Sequence, residues 1–381
     1  MPETMAVILR DQPRFLSQHF EVALVTSPGC ELNRLAHEGV SVHVVPMRRG
    51  ISPLQDFVSV CRMVLLMFEL RPEIVHSYTP KAGLVCMLAA WLCRVPIRVH
   101  TFTGLIWPTR QGWKQRMLKT VDSLLCACAT HIVPEGRGVL QDLQAGQITS
   151  KPLYVIGHGN VAGVDVEYFS PHASGLEYAC AQLRLLYKIE KTDFVYAFVG
   201  RLNRDKGVNE LLAAFENLPN HSRLIVVGGL DDTAPVSNQA MSTLTSHPRI
   251  HWVGFQHDIR PALLAADVLV LPSYREGFPN VVLQAGAMER PVVATDISGC
   301  NEIIAPGLNG WLVPVKNTQA LTLTMRQALN TPVTSLQAMG RSARKRVVER
   351  FERGEHWRRM LAFYSSLDIR TRPFQTMHKD E

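Results

Sequence analysis

Long apolar runs are missing from this 381-residue chain. The longest, Met63–Phe68 and Gly83–Cys93, fall well short of the roughly 20 residues that span a bilayer, so no transmembrane helix is predicted. The start lacks a basic segment followed by an apolar stretch, so no secretory signal is predicted. Paired Cys-x-x-Cys motifs and the Cys/His spacing of zinc sites are absent too. The eight cysteines (Cys30, Cys61, Cys86, Cys93, Cys126, Cys128, Cys180, Cys300) are dispersed, mostly among apolar neighbours. They read as reduced core thiols of a cytoplasmic protein. No Gly-x-Gly-x-x-Gly with a later acid follows the first strand, which argues against a dinucleotide-dependent oxidoreductase. There is no repeat of fixed period and no low-complexity tract.

What is present is a soluble, globular composition, 46% hydrophobic. At this length two domains are expected rather than one core. The formal net charge is +7. Residues 1–165 hold 16 Lys/Arg against 12 Asp/Glu, and the remainder 24 against 21. Neither half is a basic block of the nucleic-acid kind. A mild positive excess suits an anionic substrate and an anionic membrane surface.

Strands and helices alternate along the chain, which predicts parallel sheets with helices on both faces. Strands are expected at Glu21–Thr26, Val40–Val45, Ile74–His76, Ile97–Thr101, His131–Pro134 and Leu153–Ile156. A second set is expected at Phe194–Val199, Arg223–Val227, Ile250–Val253, Val268–Leu271, Pro291–Thr295 and Trp311–Val313. The clearest helices are Pro53–Leu70, Lys81–Cys93, Gly207–Asn217, Asp258–Ala266, Asn280–Glu289 and Thr318–Thr331. Gly157–Pro171 is glycine-rich and aperiodic, the best linker. The expected fold is α/β, with two Rossmann-like halves facing each other across a cleft. Leu336–Leu367 reads as one or two amphipathic helices. Residues 341–359 hold eight basic and three acidic side chains, either a solvated face or a membrane-surface or inter-domain one.

Two segments carry chemistry. Val195–Gly207 runs from a buried strand into Gly200-Arg201…Lys206-Gly207. Open α/β sheets bind ligands at that carboxyl end. Arginine supplies a planar fork for phosphate oxygens and lysine a point charge. An ordinary charged strand–helix loop is the competing reading. The second segment is Tyr274-Arg275-Glu276-Gly277-Phe278-Pro279-Asn280-Val281-Val282-Leu283-Gln284. Its helix begins after Pro279, so the N–H groups from Gly277 to Val282 point outward, as at an anion site. Glu276 beside them can accept hydrogen bonds from sugar hydroxyls. Gln284, about one turn in, can reach a ribose diol. Together the segments suit a diphosphate with a sugar attached.

These strings resemble the family-4 retaining glycosyltransferases of the GT-B fold. So do Ala294-Thr295-Asp296-Ile297-Ser298-Gly299-Cys300-Asn301-Glu302 and Asn309-Gly310-Trp311-Leu312-Val313-Pro314. Val75–Gly83 and Gly157–Asp165 look like the members that build bacterial capsule, O-antigen and lipid-linked oligosaccharide. The resemblance covers nearly the whole chain. It implies an acceptor-binding domain over 1–168, a nucleotide-sugar domain over 169–350, and a C-terminal helix over 351–381 crossing back to the first.

The resemblance also implies roles. Arg201 and Lys206 would hold the donor diphosphate as it leaves. Glu276 would contact the donor sugar. The backbone at Gly277, Phe278, Pro279 and Asn280 would wrap that sugar, and the Val281 and Val282 amides would meet the phosphate. Gly200 lets the backbone approach, and Phe255 is the candidate wall for the base. On the acceptor side stand His100, Thr103 and Gly104; relatives often carry a histidine where Thr103 is. Trp107, Arg110, Trp113, Lys114, Arg116 and Lys119 are candidates to dock a lipid-linked acceptor at the membrane, or else form a partly covered helix. The implied reaction is retaining transfer from a nucleotide sugar, by default a UDP-sugar. It needs no cofactor and no metal, since no Asp-x-Asp box stands near the donor site and Asp231-Asp232 reads as a turn. Two departures stand out. The second acid of the family's Glu-x7-Glu pattern is Gln284. The opening Met1-Pro2-Glu3-Thr4 runs directly into a helix, so either the start is misplaced or the first sheet lacks a strand. A nucleotide-sugar epimerase of the same architecture and a non-catalytic partner subunit are the alternatives.

Overall fold

The computed structural model describes residues 2–29, 31–47, 52–231 and 234–367. Cys30, Asp232 and the predicted C-terminal segment beyond residue 367 lie outside these. Two compact units divide the chain. One takes Met1–Thr101, Val121–Val133 and the chain from Trp357 on; the other takes Phe102–Thr120 and Pro134–His356.

In the first unit, β1 (Ala23–Thr26) and β2 (Ser41–Val44) pair in parallel. A separate three-stranded sheet runs in the order β3 (Ile74–Ser77), β4 (Ile97–Phe102), β5 (His131–Pro134). The helix Pro53–Leu70 begins where expected because Pro53 presets the helical φ and lacks an N–H that would be orphaned there. Its Asp56 carboxylate accepts from the Ser52 N–H at 3.2 Å. The helix stops at Arg71, which turns left-handed (φ 46°) and closes its N–H on Met67 O. Pro72 follows and disfavours the helical region for its predecessor. The inner face packs Met63 and Met67 on Val45, Val85, Ala89, Ala90 and Val95.

The second unit holds a six-stranded sheet in the order β11-β10-β9-β6-β7-β8. Its strands are β6 (Phe194–Val199), β7 (Ser222–Val227), β8 (Ile250–Gly254), β9 (Val268–Leu271), β10 (Val292–Thr295) and β11 (Gly310–Val313). Every neighbouring pair is parallel. These strands are nearly continuous Val, Ile, Leu and Ala, as burial on both faces requires. The Tyr196 ring is fully buried within them, and its hydroxyl donates to Met325 O at 2.8 Å. Counted from β6, the spatial order is 3-2-1-4-5-6, the doubly wound Rossmann pattern. Its direction reverses between β6 and β9, where such sheets bind ligands.

One expectation changes and two gain detail. Leu153–Ile156 is no strand; only Leu153 makes an isolated bridge. Pro152 has no N–H to give a ladder and Gly157 turns left-handed (φ 60°), so the segment has no room to extend. Gly157–Pro171 is irregular as expected, yet anchored. The Val164 N–H donates to Phe351 O at 2.8 Å, and Asp165 pairs with Arg353 at 2.9 Å. Finally, 333–366 is two helices, Val333–Phe351 and Arg353–Ser366, broken at Glu352. The Glu352 carboxylate accepts from the Gly354 and Glu355 N–H groups at 2.7 Å each. The basic face there is partly spent inward: Arg344 donates to Val166 O and Arg346 to Glu302 O.

Candidate functional site

The loops leaving β6 and β9 are pressed together at the switch point of the second sheet. Gly207 (φ 68°) lies so close to Pro272 that a Cβ there would strike the Pro272 carbonyl oxygen. The Tyr274 N–H donates to Asp205 O at 2.8 Å, and Arg275 pairs with the Asp205 carboxylate at 3.1 Å. Gly228 (φ 146°) is similarly constrained, since a Cβ there would strike the Gly200 carbonyl oxygen, whereas a Cβ on Gly200 would meet only the Phe198 ring, at 3.5 Å.

Both predicted cations are present, each already facing a carboxylate. Lys206 Nζ lies 2.6 Å from Glu276 Oε1, with the two side chains only 21% and 12% exposed. Ser273 Oγ donates to the same Glu276 oxygen at 2.6 Å. Arg201 Nη1 lies 2.7 Å from Asp231 Oδ2, but here the arginine is 62% exposed. Asn203 adds a bond to that Asp231 oxygen at 3.0 Å. Asp231, expected to serve only a turn, is thus the counter-ion of Arg201.

The helix Asn280–Ala287 starts beside this pair. Asn280 Oδ1 accepts from Asn160 Nδ2 at 2.7 Å, which fixes its first turn. The Val282 N–H donates to Pro279 O at 3.1 Å. That corrects the expectation of a phosphate-facing Val282 amide, since this donor is engaged within the first turn. Val281 is half-buried and Gln284 half-buried one turn on. The Phe278 side chain is buried, packs on Phe351 at 5.4 Å between centroids and touches Gly159. That side chain is thus committed to packing.

Beneath the Glu276–Asn280 segment lies a cradle. Gly104 (φ 103°) is packed so that a Cβ on it would come within 3.1 Å of Gly277 Cα and N. A Cβ on Gly277 would strike Glu135 Oε2 and come within 2.7 Å of Gly104 N and Thr103 C. On the other side, a Cβ on Gly299 would strike Gly277 O. Glu135 follows β5 and is buried. Burial, then the neighbouring Glu276 and Glu302 carboxylates, push its pKa well above the ordinary range. It therefore holds its proton where ordinary carboxyls have lost theirs. Glu302 instead accepts from the Arg137 and Gly138 N–H groups at 2.7 and 2.9 Å. It caps the N-terminus of the helix Arg137–Ala145, where negative charge is favoured.

Other candidates fall elsewhere. His100 is a core residue of the first unit, not an exposed loop histidine. Its Nδ1 meets Ser77 Oγ at 2.8 Å, and its ring fills the space a Cβ on Gly83 would need. Burial lowers its pKa to about 3, so it is neutral. Phe255 is 68% exposed, edge-on to His257. Trp107 is a packed side chain with Lys119 Nζ 4.6 Å from its ring centroid, whereas Arg110, Trp113, Lys114 and Arg116 are exposed. Cys61 is exposed too, against the expectation of core thiols throughout.

Sequence reasoning did not single out Ser273, Glu135 or the roles of Asp231 and Glu302. Glu135 carried a usable signal: an acid between Pro134 and Gly136 at a strand exit, ahead of a helix, repeats the local logic of Glu276.

Comparison with known proteins gives the family. Residues 8–159 match the glycosyl transferase 4-like domain, and residues 185–346 match glycosyl transferases group 1. The capsular polysaccharide biosynthesis glycosyltransferase CapM of Staphylococcus aureus is 29% identical over 94% of this chain and 93% of its own. An Escherichia coli UDP-Gal:α-D-GlcNAc-diphosphoundecaprenol α-1,3-galactosyltransferase is 25% identical over 88% of this chain and 86% of its own. The crystal structure of Anabaena HepE in complex with UDP superposes with a TM-score of 0.77, at 20% identity, over 94% of this chain and 95% of that one. With both domains matched and the fold shared, the chain belongs to the family-4 glycosyltransferases of the GT-B fold.

Proposed function

We propose that the protein transfers a sugar, with retention and without a metal ion, from a UDP-sugar to a lipid-linked or polysaccharide precursor acceptor in bacterial cell-surface glycan synthesis. The observation that carries this reading is the Lys206–Glu276 pair beside the N-terminus of helix Asn280–Ala287, at the point where the strand order reverses. Breaking the anomeric bond builds negative charge on the departing nucleoside diphosphate. Arg201, Lys206 and the helix N-terminus would meet that charge. Donor phosphates would take Arg201 from Asp231 and Lys206 from Glu276, leaving the Glu276 carboxylate for the sugar hydroxyls. Gly277 to Asn280 would line the sugar, Gln284 the ribose and Phe255 the base.

Residues 169–350 would then serve the donor and 1–168 the acceptor, with Thr103 and Gly104 on the acceptor side. The named activities of the S. aureus and E. coli relatives support a glycan-precursor acceptor. Among the described residues no helix is long and apolar enough to cross a membrane. We place the protein in the cytoplasm, peripherally at the inner face of the membrane. Exposed Arg110, Trp113, Lys114 and Arg116 supply the basic and aromatic contacts such a surface favours.

The test is a thermal-shift titration with UDP, GDP and their hexose conjugates, on the wild type and on Arg201→Ala/Lys206→Ala. A ligand at about 100 times its Kd adds roughly 2.7 kcal/mol. Stabilisation by uridine nucleotides, lost in the double variant, is expected. A folded protein that no nucleotide stabilises overturns the proposal, and so does a double variant that is stabilised as well as the wild type.

A further inference from the structure

Glu135 is an expensive residue to bury where it is. It is only 5% exposed, and two of the groups raising its pKa are other carboxylates, Glu276 and Glu302. An apolar side chain of similar size would fill the space without desolvating an acid. Glu302 has a plain structural duty, capping the helix Arg137–Ala145. The Glu135 carboxyl has none of that kind: its Oε2 lies against the α-carbon of Gly277, the residue after Glu276. Its backbone completes the grip, since Glu135 O accepts from the Asn160 N–H at 2.7 Å and the Asn160 side chain holds Asn280. One residue therefore touches the sugar-facing segment directly at Gly277 and indirectly at its helix start. Buried acids kept at such cost cluster at functional sites.

We infer that Glu135 is a positioning residue for the donor-sugar segment: its carboxyl group fixes Gly277 and thereby sets where Glu276 presents its free oxygen to the sugar. The inference rests on the donor-site reading above. Burial, then the Glu276 and Glu302 carboxylates, raises its pKa, which favours the neutral form here. A third negative charge beside Glu276 would push that carboxylate off Lys206 and Ser273 and displace the segment. The phosphate cations lie on the β6 loop, where Asp231 and Glu276 rather than Glu135 hold them, so loss of the Glu135 carboxyl falls chiefly on the sugar.

The experiment measures, by calorimetry, the affinities for UDP and for the UDP-hexose that most stabilises the wild type. It compares the wild type with Glu135→Ala and Glu135→Gln, each checked for folding by circular dichroism and thermal melting. Glu135→Ala should weaken the UDP-hexose about tenfold, the size of one lost buried polar contact, and leave UDP within about twofold. Glu135→Gln, neutral and nearly isosteric, should restore the UDP-hexose to within about threefold of the wild type. The inference is overturned if Glu135→Ala binds both ligands like the wild type. It is overturned as well if both affinities fall together in a folded variant, or if Glu135→Gln is as poor as Glu135→Ala. A wild type that binds neither uridine ligand fails at the earlier step, and removes the donor-site reading together with this one.

Discussion

Lys206 and Glu276 share a short ion pair, Nζ to Oε1 at 2.6 Å, and Ser273 donates to the same oxygen. Arg201 has a similar partner distance to Asp231, but the arginine is 62% exposed and the shielded Asp231 carboxylate keeps a second partner in Asn203. The two pairs therefore differ in what they do for the resting protein. Exposed pairs contribute little, whereas a shielded pair that loses one partner leaves the other stranded. Lys206→Ala should lower unfolding stability by about 1–2 kcal/mol, and Arg201→Ala by no more than about 0.5 kcal/mol. Both should abolish stabilisation by UDP. Urea denaturation of the two variants checks the contrast; equal losses would mean that the lysine pair is as well screened as the arginine pair.

The glycine at 299 is a second test of the cradle. Its φ of 80° and its approach to Gly277 O, Phe278 Cα and Pro279 Cδ leave no place for a methyl group. Gly299→Ala should cost about 1–3 kcal/mol through backbone strain and displacement of the Gly277–Pro279 segment. Gly229→Ala is the control, because nothing lies within 4 Å of the Cβ it would gain. Gly229→Ala should unfold within about 0.5 kcal/mol of the wild type. Indistinguishable urea midpoints for the two variants would show that the Gly299–Gly277 contact relaxes freely.

The first unit should respond to acid. His76 and His100 are both buried; burial lowers each pKa from 6.5 to about 3, and for His76 the neighbouring His100 lowers it further. His76 is bonded through Nδ1 to Tyr364 and through Nε2 to Thr101, at 2.5 and 2.7 Å. An unfolded chain takes up these protons near pH 6.5, the folded one only near pH 3. Between those values the unfolded state binds more protons, so stability rises with pH there. The contribution is complete above about pH 6.5 and is lost as the pH falls towards 3. His100→Asn should flatten that slope by up to one proton, read from urea midpoints between pH 7.5 and 4.5. An unchanged slope would show that His100 does not titrate in the unfolding transition.

Much of this was legible in the sequence, and what was not has a physical reason. The strands β6 and β9 and the helix Pro53–Leu70 announce themselves locally, by unbroken aliphatic runs and by prolines at both ends. Lys206, Glu276 and the Asn280 helix start are also local patterns, a strand exit followed by a charged or capped turn. Leu153–Ile156 looked like a strand because its side chains suit one, but Pro152 cannot feed a ladder. Glu135 carried a local signal as a strand-exit acid, but its contact with Gly277, like that of Asp231 with Arg201, joins residues far apart along the chain and shows only in the fold. His100 misled for the same reason. Only the fold shows that Ser77 and Gly83 enclose it.

Gln284 offers the sharpest test of donor orientation. It sits one turn into helix Asn280–Ala287, half-buried, where the family pattern places an acid. An amide can bond a ribose hydroxyl, but a carboxylate makes the stronger, charge-assisted bond. Gln284→Glu should therefore tighten UDP binding by roughly three- to tenfold, the difference between a neutral and a charged hydrogen bond. Repulsion from the diphosphate works against this gain, so the effect must be referenced to a ligand lacking the hydroxyl. 2′-Deoxy-UDP carries the same phosphates and the same base, and it should gain less than UDP from the substitution if Gln284 meets the 2′-hydroxyl. Calorimetry on both proteins with both ligands gives the four affinities required. Equal changes for UDP and 2′-deoxy-UDP would place the 2′-hydroxyl away from residue 284.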